Sequence, residues 1–145
     1  MAGDAAPPFA LPTLAGRTPR FPKDFAGRAV VLRFWAGWCR FCEQEMKEID
    51  PVAARLATEG VSVLAVNVGQ DRAAVQAFVD RVAFRYPALL DEAATTARAY
   101  GVKGLPTTFF ILPNGRVRTR LIGEADAATF ERLARGLIPA SGGPR

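Results

Sequence analysis

A chain of 145 residues suffices for one domain with its own core; half of it is hydrophobic and 23% charged, the balance of a soluble globular protein. The formal charge of +5 is modest and the basic residues are scattered, which argues against a nucleic-acid-binding surface. Histidine is absent, which removes imidazole catalysis and His ligation of metals or haem, and no apolar run approaches the roughly 20 residues of a membrane span.

In chain order, Met1 to Pro8 is small, polar and Pro-rich, and reads as a loose N-terminal tail over residues 1–8. It lacks the basic and hydrophobic parts of a signal peptide. The protein is then either cytosolic, or the sequence begins after a removed export signal or membrane anchor. Phe9-Ala10-Leu11 and Arg20-Phe21 flank Ala15-Gly16-Arg17, as in a short β-hairpin opening a domain of residues 9–138. Ala29 to Ala36 is an apolar strand buried on both faces. Glu43 to Ala57 carries Met46, Ile49, Ala53 and Leu56 at helical spacing, with Pro51 expected to kink or split the helix. Gly60 closes it, and Val61 to Val68 is the next buried strand. Asp71 caps a helix to about Val82, with Val75, Phe78 and Val79 inward. Pro87 to Leu90 is a strand, and Thr95 to Tyr100 a short helix ended by Gly101. Thr107 to Leu112 and Val117 to Ile122 are strands joined at Asn114-Gly115, a strong hairpin-turn signal. Arg116, Arg118 and Arg120 alternate there as a solvated face. Asp126 caps a final helix through Leu137, and residues 139–145 read as a flexible C-terminal tail. The order β-α-β-α-β-α-β-β-α implies an α/β domain, its mixed sheet parallel at first, closed by an antiparallel hairpin and covered by helices on both faces.

The only two cysteines lie in Trp38-Cys39-Arg40-Phe41-Cys42, between the apolar strand and the helix after it. Three residues apart at a helix start, they share one face and can bond to each other. The free N–H groups and positive dipole end of the helix stabilise a thiolate at the first. This suits thiol–disulfide exchange, in which one thiolate attacks and a second thiol resolves the mixed species. A zinc half-site would have only acidic residues to complete it, so no metal is expected. A purely structural disulfide closing so small a loop constrains the unfolded chain little. Two unrelated buried thiols are the remaining alternative.

Phe34-Trp35-Ala36-Gly37-Trp38-Cys39-Arg40-Phe41-Cys42 resembles the active-site segment of thioredoxin-like proteins, and Gly104-Leu105-Pro106-Thr107-Thr108-Phe109 resembles the segment bearing that fold's cis-proline. Pro8-Phe9-Ala10-Leu11-Pro12, Val66-Asn67-Val68 and Leu90-Asp91 are similar to the TlpA/ResA-type thiol–disulfide proteins, extracytoplasmic reductases of which many serve cytochrome c maturation. The resemblance spans about Phe9 to Leu137 and implies a thioredoxin-like fold with an extra N-terminal β-hairpin. It also implies a monomeric protein-disulfide oxidoreductase that acts outside the cytoplasm on disulfide-containing protein substrates, recharged by a membrane thiol or electron donor and needing no cofactor. The dipeptide Arg40-Phe41 departs from the family, which usually has proline before the second cysteine. That leaves the direction of electron flow open between a reductase and a disulfide-donating oxidase or isomerase. Peroxiredoxins share the opening Pro-Phe-x-Leu-Pro pattern but place a lone peroxidatic cysteine in a Thr-rich loop. A redox-inert domain of this fold typically lacks one or both cysteines, and both are present.

The resemblance distributes roles over the matching positions. Cys39 is the expected nucleophile and Cys42 the more buried resolving thiol. Arg40 beside Cys39 favours its thiolate, or is an ordinary solvated residue. Leu105 and Pro106, with Pro106 cis or else a trans proline opening a strand, offer backbone to an extended substrate segment. Trp38 shields the disulfide and presents an apolar surface to partners, while Trp35 belongs to the core. Glu45 shares the helix face of Cys42 and matches the glutamate that influences thiol ionisation in ResA-type proteins, or is a solvated helix residue. Arg33 stands where thioredoxins carry a buried acid and ResA-type proteins an uncharged polar residue. Within Val30-Val31-Leu32-Arg33 its charge is costly unless paired, with Glu45 the expected partner and Glu48 second, or unless it snorkels to solvent. A pair with Arg33 is expected to hold Glu45 ionised and weaken it as a proton acceptor for Cys42, and a cation beneath the site to ease reduction of the disulfide.

Overall fold

In a computed structural model, which describes residues 2–39 and 41–139, the chain builds a five-stranded mixed sheet beside a two-stranded hairpin. The hairpin pairs β1 (Phe9–Ala10) with β2 (Arg20–Phe21), antiparallel. The main sheet holds β3 (Ala29–Trp35), β4 (Val61–Val68), β5 (Ala88–Asp91), β6 (Thr107–Ile111) and β7 (Val117–Ile122), in the order β5-β4-β3-β6-β7. The pairs β3–β4 and β4–β5 are parallel, and β3–β6 and β6–β7 are antiparallel. Every residue of β3 is buried, as its unbroken apolar run requires of a central strand.

Four helices cover this sheet: α1 (Cys42–Ala57), α2 (Arg72–Val82), α3 (Thr95–Ala99) and α4 (Ala127–Arg135). Helices α1, α2 and α4 bury Met46, Ile49, Leu56, Val75, Phe78 and Phe130 against one face, with Val31, Trp35, Val63 and Phe110. On the other face α3 and the hairpin bring Ala97, Phe9 and Phe21 against Val30, Leu32, Phe34 and Phe109. Both parallel crossovers run the same way along the sheet, and right-handedness puts α1 and α2 on the same side.

The caps fall where the sequence places them: Asp71 accepts from the Ala74 N–H at 2.9 Å and Asp126 from the Thr129 N–H at 2.8 Å. The buried Asp91, at the end of β5, accepts from the N–H groups of Thr96 and Ala97 and so holds the start of α3. Three expectations are corrected. Of the kink or split expected at Pro51, the split does not occur: α1 runs through the proline to Ala57, its buried stripe of Met46, Ile49, Val52, Ala53 and Leu56 continuing on both sides. Helix α4 stops at Arg135, short of Leu137, although Leu137 remains buried. The N-terminal segment is not a loose tail. The Gly3 N–H donates to Val117 O, the Val117 N–H to Asp4 O and the Ala6 N–H to Gly115 O, at 2.7–2.9 Å. Edge strand β7 offers a row of open backbone groups, and small residues at 3–6 let the chain lie against it. The expected C-terminal tail over residues 139–145 falls, apart from Pro139, outside the described residues.

Candidate active site

The site forms where β3 ends at the carboxyl edge of the sheet and the chain turns into α1. A tight turn closes there, the Cys39 N–H donating to Ala36 O at 3.0 Å and the Cys42 N–H to Cys39 O at 3.2 Å. Cys39 and Cys42 are joined in a disulfide with their Cα atoms 5.4 Å apart. Cys42 is wholly buried, whereas Cys39 keeps 7% of its surface, so an incoming group meets Cys39 first. No side chain caps the N-terminus of α1, which leaves its first N–H groups directed toward the cysteine turn. Gly37 is held by Gln70, whose Oε1 accepts from the Gly37 N–H at 2.6 Å and from Asn67 Nδ2 at 3.0 Å. A Cβ at residue 37 would stand 3.3 Å from that oxygen, which accounts for the glycine.

The Leu105–Pro106 peptide bond is cis, as the resemblance implies; a second cis bond, Phe21–Pro22, was not anticipated. Pro106 O accepts from the Gly123 N–H at 2.9 Å, and the half-buried Leu105 packs against the core cluster that contains both cysteines. The large exposed hydrophobic residues among those described are Trp38 (71%), Phe41 (49%) and Ile122 (66%). Trp38 and Phe41 flank the disulfide, and Ile122 pairs in register with Thr107, next to Pro106. Two of these three exposed apolar side chains thus belong to the cysteine segment itself. Trp35 is fully buried between Phe78 and Phe84. Arg40 lies outside the described residues.

Beneath the disulfide, Arg33 Nη2 meets Glu45 Oε1 at 2.5 Å, and both side chains are buried. Arg33 is 1% exposed, which excludes snorkelling to solvent, and the second-choice partner Glu48 is exposed and accepts from Gln44 instead. Burial lifts the Glu45 carboxyl above its ordinary value, and the Arg33 guanidinium opposes this without cancelling it. Burial and the Arg33 charge thus act on Glu45 in opposite directions, the cation favouring the carboxylate as the sequence suggests. Tyr86 is buried nearby, its hydroxyl donating to Met46 O, and burial raises its pKa.

Sequence reasoning did not single out Gln70, Tyr86, Thr108 or Ile122 as parts of the site. Asn67, a polar residue inside an apolar strand, was the available signal for the first of these. For Ile122 it was a bulky apolar residue on the exposed phase of an edge strand.

A redox-active cysteine pair at the start of a helix, on a thioredoxin-like sheet with a cis-proline loop beside it, defines a thiol–disulfide oxidoreductase. The chain belongs to the AhpC/TSA family, whose model matches residues 2–120. It is 40% identical to the thiol-disulfide oxidoreductase ResA of Geobacillus thermodenitrificans, over 83% of this chain and 69% of that one. To the ResA of Geobacillus kaustophilus it is 36% identical, over 94% of this chain and 78% of the relative. Among solved structures, one assigned as a thiol:disulfide interchange protein DsbE from Chlorobium tepidum superposes with a TM-score of 0.88 at 33% identity, covering 96% of this chain and 99% of that one. The protein exchanges disulfides with protein substrates through Cys39 and Cys42.

Proposed function

We propose that the protein acts as a reductase of disulfides in exported proteins, apocytochrome c among them, outside the cytoplasm and as a monomer. The likeness to ResA proteins supports this reading. So does the asymmetric burial of the cysteine pair, which is the observation that carries the mechanism. Cys39 attacks the substrate disulfide, giving a Cys39–substrate mixed disulfide and one substrate thiol. Cys42 then attacks Cys39, re-forming the disulfide of the structure and freeing the second thiol. Glu45, one helical turn beyond Cys42 on the same buried face, takes the Cys42 proton in that step. Trp38 packs on the substrate, and the Leu105–Pro106 edge offers backbone to an extended segment. A membrane-bound thiol donor returns the pair to its reduced state. Among the described residues no helix is long and apolar enough to cross a membrane.

The direction of electron flow is tested by equilibrating the pair against glutathione. A potential near or below about −220 mV supports a reductase, and one near about −120 mV an oxidant. In cells, a Cys42→Ser variant lacks the resolving thiol and should accumulate mixed disulfides with exported cysteine proteins. Recovery of cytosolic partners alone would contradict the proposed compartment.

A further inference from the structure

A buried arginine needs a reason. Arg33 sits mid-strand in β3, between Ala65 on one side and Thr108 on the other, and its guanidinium reaches Glu45 of α1. Nη1 reaches the Thr108 hydroxyl at 3.4 Å, Nη2 binds Glu45, and the buried Nε–H has no partner. A cation so placed contributes little net stability compared with an apolar side chain of similar volume. Among the described residues its one anionic partner is Glu45, three residues after the resolving thiol on the buried face of α1.

We propose that Arg33 is the positioning residue that keeps Glu45 available as a charged proton acceptor for Cys42. This rests on the role given to Glu45 above. Without a cation beside it, a carboxylate at this depth takes up a proton rather than remain charged. In the resolving step the Cys42 S–H passes its proton to Glu45, and the Cys42–Cys39 bond forms as the Cys39–substrate bond breaks. The electron pair leaves on the substrate thiolate, which is protonated by solvent. The protein dithiol is oxidised by two electrons and the substrate disulfide reduced by two. Groups facing the pair from other elements are few. Thr108 comes from β6, and Tyr86, ahead of β5, feels the Arg33 charge and that of Asp50. The β7–α4 turn brings Glu124, which disfavours the Glu45 charge, and the Ala125 backbone, which favours it.

The test mixes the reduced protein with oxidised glutathione and quenches with acid, and mass spectrometry reads the glutathione adduct on Cys39 from pH 5 to 9. In the wild type the adduct is resolved rapidly at pH 7. In Arg33→Met it should persist longer, with the pH dependence of its resolution moved to higher pH by about one unit, which slows resolution about tenfold at pH values below both inflections. Arg33→Lys, which retains the charge, should restore most of the rate. In Arg33→Met/Glu45→Gln, where no unpaired buried charge is left to disturb folding, the inflection set by Glu45 should vanish, leaving only the rise set by ionisation of Cys42 itself. An unchanged profile in Arg33→Met, with the inflection lost in Glu45→Gln, overturns the role of Arg33 and leaves that of Glu45 standing. An inflection that survives in the double variant at its wild-type position overturns both.

Discussion

At the scale of single residues, the costliest feature of the chain is the ion pair of Arg33 and Glu45. The pair was legible because a lone cation interrupts the apolar run Val30-Val31-Leu32, and burial on both faces leaves it needing a partner from the helix packed above. The protonation balance of Glu45 was not legible, since it depends on how completely α1 and the β7–α4 turn exclude water. It has a thermodynamic consequence. A carboxyl whose value is raised on folding binds its proton more tightly in the folded state. Its contribution to stability is therefore full below the ordinary 4.5 and is lost as pH rises through the folded-state value. Glu43, Glu59 and Glu131 are lowered by arginine partners and act oppositely, their contribution being present above 4.5 and lost in acid. Because those three are common to both proteins, the difference between wild type and Arg33→Met/Glu45→Gln isolates the buried group. Urea denaturation from pH 4 to 8 should show the wild type losing stability relative to the variant as pH rises from 4.5. Parallel curves would contradict this.

Among the elements, the helices and the central strands were readable because each carries its own local signal: a capping aspartate, an apolar stripe at helical spacing, or an unbroken apolar run. The Asp126 cap is one such signal, and Asp126→Ala should cost about 1 kcal/mol, seen as a lower midpoint of thermal unfolding with the redox chemistry intact. A midpoint unchanged within error would mean that α4 is held by packing alone. Signals that depend on distant partners were not readable. Residues 3–6 look like any polar terminus until β7 presents an open edge beside them. Pro51 reads as a helix breaker in isolation, yet the packed face of α1 carries the helix through it. Phe21–Pro22, the second cis peptide, had no motif to announce it.

Across the whole molecule, the carboxyl edge of the sheet gathers the chemistry. The disulfide follows the end of β3, and the cis-proline stands just ahead of β6, whose Thr107 pairs in register with Phe34 and with Ile122, so these lie toward the same edge. At the far ends of the helices, Arg55 and Arg135 bind Glu131, and Arg135 also binds Glu59, joining α4 to the end of α1, while Glu43, next to Cys42, pairs with Arg81 and Lys47. The proposed mechanism has Cys39, which keeps some exposure, as the point of attack and the wholly buried Cys42 as the resolving thiol. The most direct measurement is differential alkylation of the reduced wild-type protein near neutral pH, with each cysteine followed by peptide mass spectrometry. Cys39 should be modified at least about tenfold faster than Cys42, given its exposure and its place at the start of α1. Equal rates, or faster labelling of Cys42, would contradict the assignment of nucleophile and resolving thiol on which the mechanism stands.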